Sequence, residues 1–129
     1  MDDARSRLVD GYWTFMRLAS SPARPDRLAA DDWLWAFDEV GEAIGRPDDS
    51  ALDLLDDLLH SPDADPVAVG SGPLEDLLSE HGSVIADRVA DRARQDPLWR
   101  LAVGSCWLEA SLAASLSRLE PFLPRRDAR

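Results

Sequence analysis

Apolar residues recur three and four positions apart along most of the chain, which is the spacing of amphipathic helices. Residues 4–19 carry the first such stripe, and the prolines that follow it indicate its end. A second helix is predicted to start between residues 29 and 32, where acids suit a helix N-terminus, and to end at Gly45. Residues 48–50 then offer N-cap oxygens to a third helix. The first half of the chain therefore predicts three helices.

The second and third helices separate apolar and acidic positions onto different faces. One narrow arc of the second helix, which we expect to face the core, carries Trp33, Phe37, Val40 and Ile44. Trp35 falls about 200° away from Trp33, on the acidic side of the same helix. The third helix places four leucines opposite its acids, with Leu52, Leu55, Leu58 and Leu59 on one face and Asp53, Asp56 and Asp57 on the other.

Helix start and stop signals divide the second half of the chain. Residues 70–76, with two glycines, a proline and two acids, favour a helix start, and His81-Gly82 favours the end of that short helix. Ser83 predicts the cap of the next helix. Asp96-Pro97 predicts the start of a last helix that runs to about Leu119. Because this last helix is apolar on most sides, we expect it to be central in the core.

These elements predict an all-α protein with a single domain over residues 1–129. The arrangement that we favour is an irregular bundle of about six helices, with stacked helix pairs as in a solenoid as the alternative. A chain of 129 residues with 45% apolar content can bury one ordinary core. Residues 1–3 and 121–129 are expected to fray.

The charge of the chain is strongly negative and unevenly distributed. The 25 acids and 14 basic residues, all arginine, give a formal net charge of −11, and residues 1–66 hold 16 of the acids. This charge disfavours binding to nucleic acids and to anionic membranes. We find neither a signal-peptide pattern nor an apolar run of about 18 residues, and Cys106 is the single cysteine. These features predict a cytoplasmic protein.

Two sequence blocks stand in an unusual order, GSGPLEDLLSEHG and ARQDPLWRLAVGSCW. They resemble the G-P-L-E-D-L-L, H-G, A-x-x-D-P-x-aromatic-R and G-x-x-W pattern of DUF6869, a bacterial family of unknown function. The matching positions are Gly72 to Leu78, His81-Gly82, Ala93 with Asp96 to Arg100, and Gly104 to Trp107, and the helix with Trp33 and Trp35 resembles the tryptophan-rich helix upstream in that family. The resemblance covers roughly residues 28–107 and implies an all-helical fold without an assigned activity.

The surface around Trp35 has the composition of a protein-binding site, an aromatic side chain surrounded by charge. The residues that we expect to bind a partner are Trp35, Asp31, Asp38, Glu39, Glu42, Asp53, Asp56 and Asp57. Residues 31–65 contain twelve acids and one arginine, a field that attracts basic proteins. We therefore predict a non-enzymatic binding module of the immunity or regulatory type with a basic protein partner. The alternative for Trp35 is that another helix or the N-terminal arm covers it.

Other parts of the sequence are compatible with two alternative functions. The last helix could form the seam of a homodimer in a structural or scaffolding protein. An enzyme could use Glu75, Asp76 and His81, but the two carboxylates are about 100° apart and no second histidine follows at i+4. We interpret these residues, and His60, as charge complements of helix ends. The sequence therefore predicts no catalytic residue, no metal site and no cofactor.

Two further residues carry structural predictions. Glu109 stands among apolar neighbours on the last helix, and a buried unpaired carboxylate is costly. We therefore predict a buried ion pair between Glu109 and Arg88 or Arg92. Cys106 lies on an apolar arc and is predicted to be a buried, unreactive thiol.

Overall fold

The computed structural model of the chain describes residues 3–125, and in that range the regular elements are all helical. The α-helices are α1 Asp3–Ala19, α2 Arg24–Ala29, α3 Leu34–Ile44, α4 Asp49–Leu59, α5 Pro66–Val69, α6 Glu75–Gln95, α7 Pro97–Val103 and α8 Ala110–Ser115. Two 3₁₀ turns lie at Ala30–Trp33 and Glu120–Phe122, and a π-helical turn at Gly70–Leu74 joins α5 to α6. The predicted all-α fold is confirmed.

The leucine face of α4 is a central part of the core. Its four predicted core leucines and Leu54 are buried, whereas Asp53 is exposed. Full burial of a leucine contributes about 1.5–3 kcal/mol, so this face is a large part of the driving force for packing. Trp13 of α1 packs beside it and donates its indole N–H to the carbonyl oxygen of Leu58 at 3.1 Å. The segregation of leucines and acids along α4 thus predicted its buried face correctly.

The buried arc of α3 differs from the prediction. Its buried residues are Ala36, Val40 and Ile44, whereas Trp33 and Phe37 are exposed. For Trp33 the cause is the 3₁₀ turn before α3, which ends at this residue with φ −114° and ψ 2°, so that the helix begins only at Leu34. Phe37 lies inside α3, at the side of its crossing with α1, where its ring packs beside Phe15. Trp33 therefore does not share the register of α3, and the aromatic residues that were assigned to the core lie at its edge.

Helix α6 continues through the position where the sequence predicted a helix end. His81 has φ −133° and ψ 19°, which is not helical, and the chain resumes a helical course beyond it as far as Gln95. His81-Gly82 is therefore a kink within one helix. A Cβ atom on Gly82 would lie 3.1 Å from a methyl carbon of Leu116, so the glycine allows the segment after α8 to pack closely against the kink.

The predicted last helix is divided into two shorter ones. Helix α7 ends at Val103, and the Ser105 hydroxyl then donates to the Leu101 carbonyl oxygen at 2.9 Å. One side of α7 is buried and carries Trp99, Ala102 and Val103, so this helix does occupy the core. Leu101 and Trp107 are exposed, although the prediction of one uninterrupted central helix implied that its apolar residues would be buried.

Glu109 is exposed and caps α8, which corrects the prediction of a buried ion pair. Its carboxylate accepts hydrogen bonds from the Leu112 N–H at 3.2 Å and from the Ser111 hydroxyl. The guanidinium groups of Arg88 and Arg92 instead face acids of α4. The error follows from the divided last helix, because the burial of Glu109 was inferred from neighbours on an unbroken one.

The ends of the chain are partly outside the described residues, which exclude 1–2 and 126–129. Asp3 is already helical, and Phe122 at the end of the 3₁₀ turn and Leu123 after it pack against the core, so this part of the predicted frayed tail is structured. No helix within residues 3–125 is long and apolar enough to cross a lipid bilayer.

Candidate functional site

Four large apolar side chains are exposed within five consecutive residues at the start of α3. We call Trp33, Leu34, Trp35 and Phe37 the aromatic patch; Trp35 is 42% and Phe37 43% exposed. Single exposed apolar residues are common on protein surfaces, whereas a group of them indicates an interaction site. The sequence left open whether Trp35 is exposed or covered, and each alternative holds in part, because 42% of the side chain is exposed while the edge of its ring lies against Gly11 of α1.

The crossing of α1 and α3 holds the aromatic patch in place. The two helices approach so closely that a Cβ atom on Gly11 would lie 2.9 Å from the Cβ of Ala36 and 3.1 Å from Cζ2 of Trp35. Phe37 is about 200° around α3 from Trp35. Its ring lies beside that of Phe15, with 5.0 Å between the ring centroids. Trp35 and Phe37 therefore lie on opposite sides of α3, and each contacts α1, which lowers the entropy that a partner must remove on binding.

Tyr12 forms the buried floor beneath Phe37. The two rings are nearly parallel, at 3°, with centroids 6.3 Å apart. Burial, together with the negative charge of Asp76, raises the pKa of Tyr12 to about 12. The phenol is therefore neutral at physiological pH and acts as a packing side chain that supports Phe37.

Exposed acids border the aromatic patch, namely Asp31, Asp32, Asp38, Glu39 and Glu42. The outer side of α3 is also open further along the helix, because a Cβ atom on Gly41 would meet no described atom within 4 Å. Arg46 is the one arginine between residues 31 and 65. The exposed apolar side chains of residues 33–37 thus belong to a part of the chain in which nearly all charged residues are acidic.

The acids of α4 that were assigned to the same surface turn towards α6 instead. Arg92 Nη2 donates to Asp53 Oδ1 at 3.0 Å, and Arg88 Nη1 donates to Asp49 Oδ1 at 2.9 Å. Since the two acids and the two arginines are each four residues apart, α4 and α6 run in the same direction where they face each other. The matching i, i+4 spacing of acids and arginines is the sequence signal that could have predicted this pairing.

Asp56 and Asp57 also have partners within the protein. Arg5 Nη1 donates to Asp57 Oδ2 at 2.8 Å, and the indole N–H of buried Trp99 donates to Asp56 Oδ1 at 2.8 Å. Asp53, Asp56 and Asp57 thus each have a partner within the protein, and the binding surface that we propose below is built without them. The acids that remain are those of α3 and the turn before it.

Glu75, Asp76 and His81 have separate surroundings. Glu75 Oε1 accepts the backbone N–H of Trp107 at 2.6 Å and so holds the segment after α7. Partial burial, with the charges of Glu75 and Glu80, raises the pKa of Asp76. His81 Nε2 lies 3.9 Å from a carboxylate oxygen of Glu80. The group of acids and histidine with metal-ligand spacing in the described part of the chain lies elsewhere, at Asp56, His60 and Asp96.

The fold and the aromatic patch together define a small all-α protein with an exposed, acid-bordered aromatic surface. Residues 23–123 match DUF6869, described as a family of unknown function, and the chain belongs to that family. The resemblance that its motifs indicated is thereby confirmed. No curated protein and no solved structure matches the chain. Most apolar residues of the matching motifs are buried, among them Pro73, Leu74, Leu77, Leu78 and Trp99, so these motifs mainly specify the core.

Proposed function

We propose that this protein is a non-enzymatic binding module that uses the aromatic patch and its bordering acids to hold a basic protein partner. The observation that carries the proposal is the exposure of four large apolar side chains in residues 33–37, two of them tryptophans. Tryptophan is the residue most enriched where binding energy is concentrated. An immunity-type or regulatory role fits, in which the module covers a basic surface such as that of a nucleic-acid-active enzyme. Its buried free thiol is compatible with the bacterial cytoplasm.

The proposal includes the chemistry of the partner's surface. Apolar side chains of the partner would fill the space around Trp35 and Phe37, and arginine or lysine side chains would lie opposite Asp31, Asp38 and Glu39. Charge pairs at the rim of an interface chiefly raise the association rate and are weakened by salt. Association should therefore be fast and salt-sensitive, while the dissociation rate depends on the aromatic side chains.

A second copy of the chain fits this surface less well than a basic protein. In a twofold contact each patch would face its own equivalent, so the acids around one patch would oppose the same acids of the other. The alternative homodimer seam required a continuous last helix, and the structure divides that segment at Val103. Light scattering across a range of concentrations distinguishes a monomer from such a homodimer.

Four versions of the purified full-length chain test the proposal as immobilised baits for native lysate: wild type, Trp35→Ala, Gly41→Arg and Trp107→Ala. Trp107 is 61% exposed and lies outside the patch, so it is the matched control for loss of an exposed indole. Gly41→Arg places a positive charge on the open side of α3 and also improves helix propensity. Proteins retained by the wild type are identified, purified and titrated against all four versions.

We expect a retained protein of high isoelectric point whose affinity falls about 30-fold with Trp35→Ala, the loss typical of a binding hot spot. Gly41→Arg should also weaken the complex, and Trp107→Ala should not. Thermal unfolding of each variant verifies that it is folded. A retained protein that binds all four versions equally, or whose binding is insensitive to salt, would contradict the proposal.

A further inference from the structure

We propose that Asp56, His60 and Asp96 form a binding site for a divalent transition-metal ion, with Zn²⁺ as the ion that the ligands fit best. One ligand atom from each residue lies within 4.8 Å of the other two. Imidazole nitrogen and carboxylate oxygen are both zinc ligands, and three protein ligands with one water form a common zinc geometry. The proposal is independent of the aromatic patch and its partner.

The three residues come from two elements that the fold brings together. Asp56 and His60 lie one turn apart at the end of α4, whereas Asp96 is the N-cap of α7. Only the fold can assemble this group, since 36 residues separate His60 from Asp96. A helical i, i+4 pair of ligands completed by a residue from another element is a well-suited arrangement for a tetrahedral ion.

Both carboxylates are oriented by hydrogen bonds from outside the group. The Trp99 indole N–H donates to Asp56 Oδ1 at 2.8 Å, and the Leu98 backbone N–H donates to Asp96 Oδ1 at 2.9 Å. Because the Leu98 N–H binds Oδ1 of Asp96, the other carboxylate oxygen, Oδ2, is directed towards His60. Such hydrogen bonds from neighbouring groups hold metal ligands in position, and their loss commonly lowers metal affinity by about 10- to 100-fold.

The spacing of the ligand atoms is close to what zinc requires. Tetrahedral bonds of about 2.1 Å put neighbouring ligand atoms about 3.4 Å apart. His60 Nε2 lies 3.5 Å from Asp56 Oδ1 and 2.7 Å from Asp96 Oδ2. The shorter distance is that of a hydrogen bond to the carboxylate, and a metal ion would replace the hydrogen and widen this gap by about 0.7 Å. The side chains of Asp56 and His60 are exposed enough, at 38% and 47%, to make this adjustment and admit water.

One neighbouring cation competes for the same carboxylate. Arg92 Nη1 lies 3.7 Å from Asp56 Oδ1, and Arg92 also pairs with Asp53 at 3.0 Å. Because Asp53 remains available, Arg92 keeps an ion pair when a metal ion neutralises Asp56. His60 also borders a cavity of about 240 Å³ that Asp10 and Asp57 line, and Asp57 is paired there with Arg5.

Calorimetric titration of the untagged full-length protein with zinc chloride tests the site, using wild type, His60→Ala, Asp96→Asn, Arg92→Gln and His81→Ala. His81→Ala is the matched control because it removes the other histidine of the chain. Asp96→Asn keeps an N-cap oxygen for the Leu98 N–H, so it preserves the start of α7. Visible absorption with Co²⁺ reports the coordination geometry independently.

We expect one zinc ion per chain in the wild type, binding at least tenfold weaker in His60→Ala and in Asp96→Asn, and affinity within twofold of wild type in His81→Ala. Arg92→Gln should bind zinc more tightly, since it removes the competing cation. The Co²⁺ protein should show the intense visible bands of a four-coordinate site. Absence of binding at millimolar zinc, or equal binding in wild type and in whichever of His60→Ala and Asp96→Asn is folded, would overturn the proposal.

Discussion

A Cβ atom on Gly70 would overlap the carbonyl oxygen of Ala102 and lie 2.8 Å from the Cβ of Ser105. The turn between α5 and α6 therefore packs backbone to backbone against the end of α7. Cys106 completes this contact, because its thiol donates to the Gly70 carbonyl oxygen at 3.1 Å. Glycine is required here for close approach, since φ at this residue is an ordinary −64°.

Gly70→Ala should destabilise the fold by about 3 kcal/mol, the upper part of the range for overpacking, because the added Cβ would meet the rigid backbone of Ala102 rather than a movable side chain. Urea unfolding followed by far-ultraviolet circular dichroism measures the change. An unfolding free energy within experimental error of the wild type would show that the turn can move away from α7, contrary to the close contact described here.

Gly41→Ala should have the opposite effect on stability. Gly41 lies inside α3 where an added Cβ meets no described atom within 4 Å, so the substitution gains helix propensity without a clash. We expect the unfolding free energy to rise by about 0.5–1 kcal/mol. The same urea titration checks it, and a loss of stability would mean that the outer side of α3 is covered by part of the chain.

Trp99→Phe should lower the unfolding free energy by about 2 kcal/mol, because it removes a hydrogen bond to a charged acceptor and some packing volume. Trp99 is fully buried, its indole N–H donates to Asp56, and the guanidinium of Arg92 lies 5.5 Å from its ring centroid. Trp107→Phe at the exposed tryptophan serves as control and should stay within about 0.5 kcal/mol of wild type. Equal effects of the two substitutions would contradict the assigned role of Trp99.

The Cys106 thiol should be unreactive in the native protein. Burial, with an added contribution from the charge of Glu75, raises the pKa of this thiol well above its usual range, so the thiolate is scarcely populated at neutral pH. A disulfide reagent such as DTNB should label it slowly in native buffer and completely in denaturant. Rapid stoichiometric labelling of the native protein would show that the thiol is accessible.

Asp48 should make the stability of the protein fall in acid. Hydrogen bonds from the Ser50 hydroxyl and then the Ala51 N–H lower the pKa of Asp48 below its ordinary value of 3.8. Because the folded state has the lower pKa, the carboxylate stabilises the fold above pH 3.8, and this contribution is lost as the pH falls through the folded value.

The measurement for Asp48 compares the thermal midpoints of wild type and Asp48→Asn between about pH 6 and about pH 2.5, since asparagine caps a helix without titrating in this range. We expect the wild type to lose more of its midpoint on acidification than the variant. Asp63→Asn, which removes one charge from the loop after α4, is the control for net charge. Parallel curves for wild type and Asp48→Asn would contradict the prediction.

The sequence predicted the fold class and the faces of the regular helices because these depend on local periodicity. The leucines of α4 are buried as expected, and Asp48 and Asp96 cap the helices that their positions indicated. The failures occur where the backbone leaves the ideal helix. A 3₁₀ turn before Leu34 took Trp33 out of the register of α3, and the break after Val103 exposed Glu109.

The residues of the candidate site were likewise predictable only where their positions depend on local helix geometry. The position of Trp35 on the acidic side of its helix was predicted from its angle, which is a local property, whereas the sequence left its exposure open. The pairing of Asp53 with Arg92 and the approach of His60 to Asp96 are contacts between distant segments, so the sequence contained no direct signal for them beyond matching charge spacing. Phe37 joined the patch because burial of α3 is decided by its crossing with α1 at Gly11, a glycine whose packing role no periodicity shows.

The five tryptophans fall into two groups, with Trp13 and Trp99 buried and Trp33, Trp35 and Trp107 exposed to solvent. Indoles in an apolar interior emit at shorter wavelengths than solvated ones and are shielded from aqueous quenchers such as iodide. Emission from the exposed group therefore reports on the outer surface, while emission from the buried group reports on the packing between α1, α4 and α7. Intrinsic fluorescence alone can thus distinguish occupancy of the aromatic patch, which shields Trp33 and Trp35, from unfolding, which exposes Trp13 and Trp99.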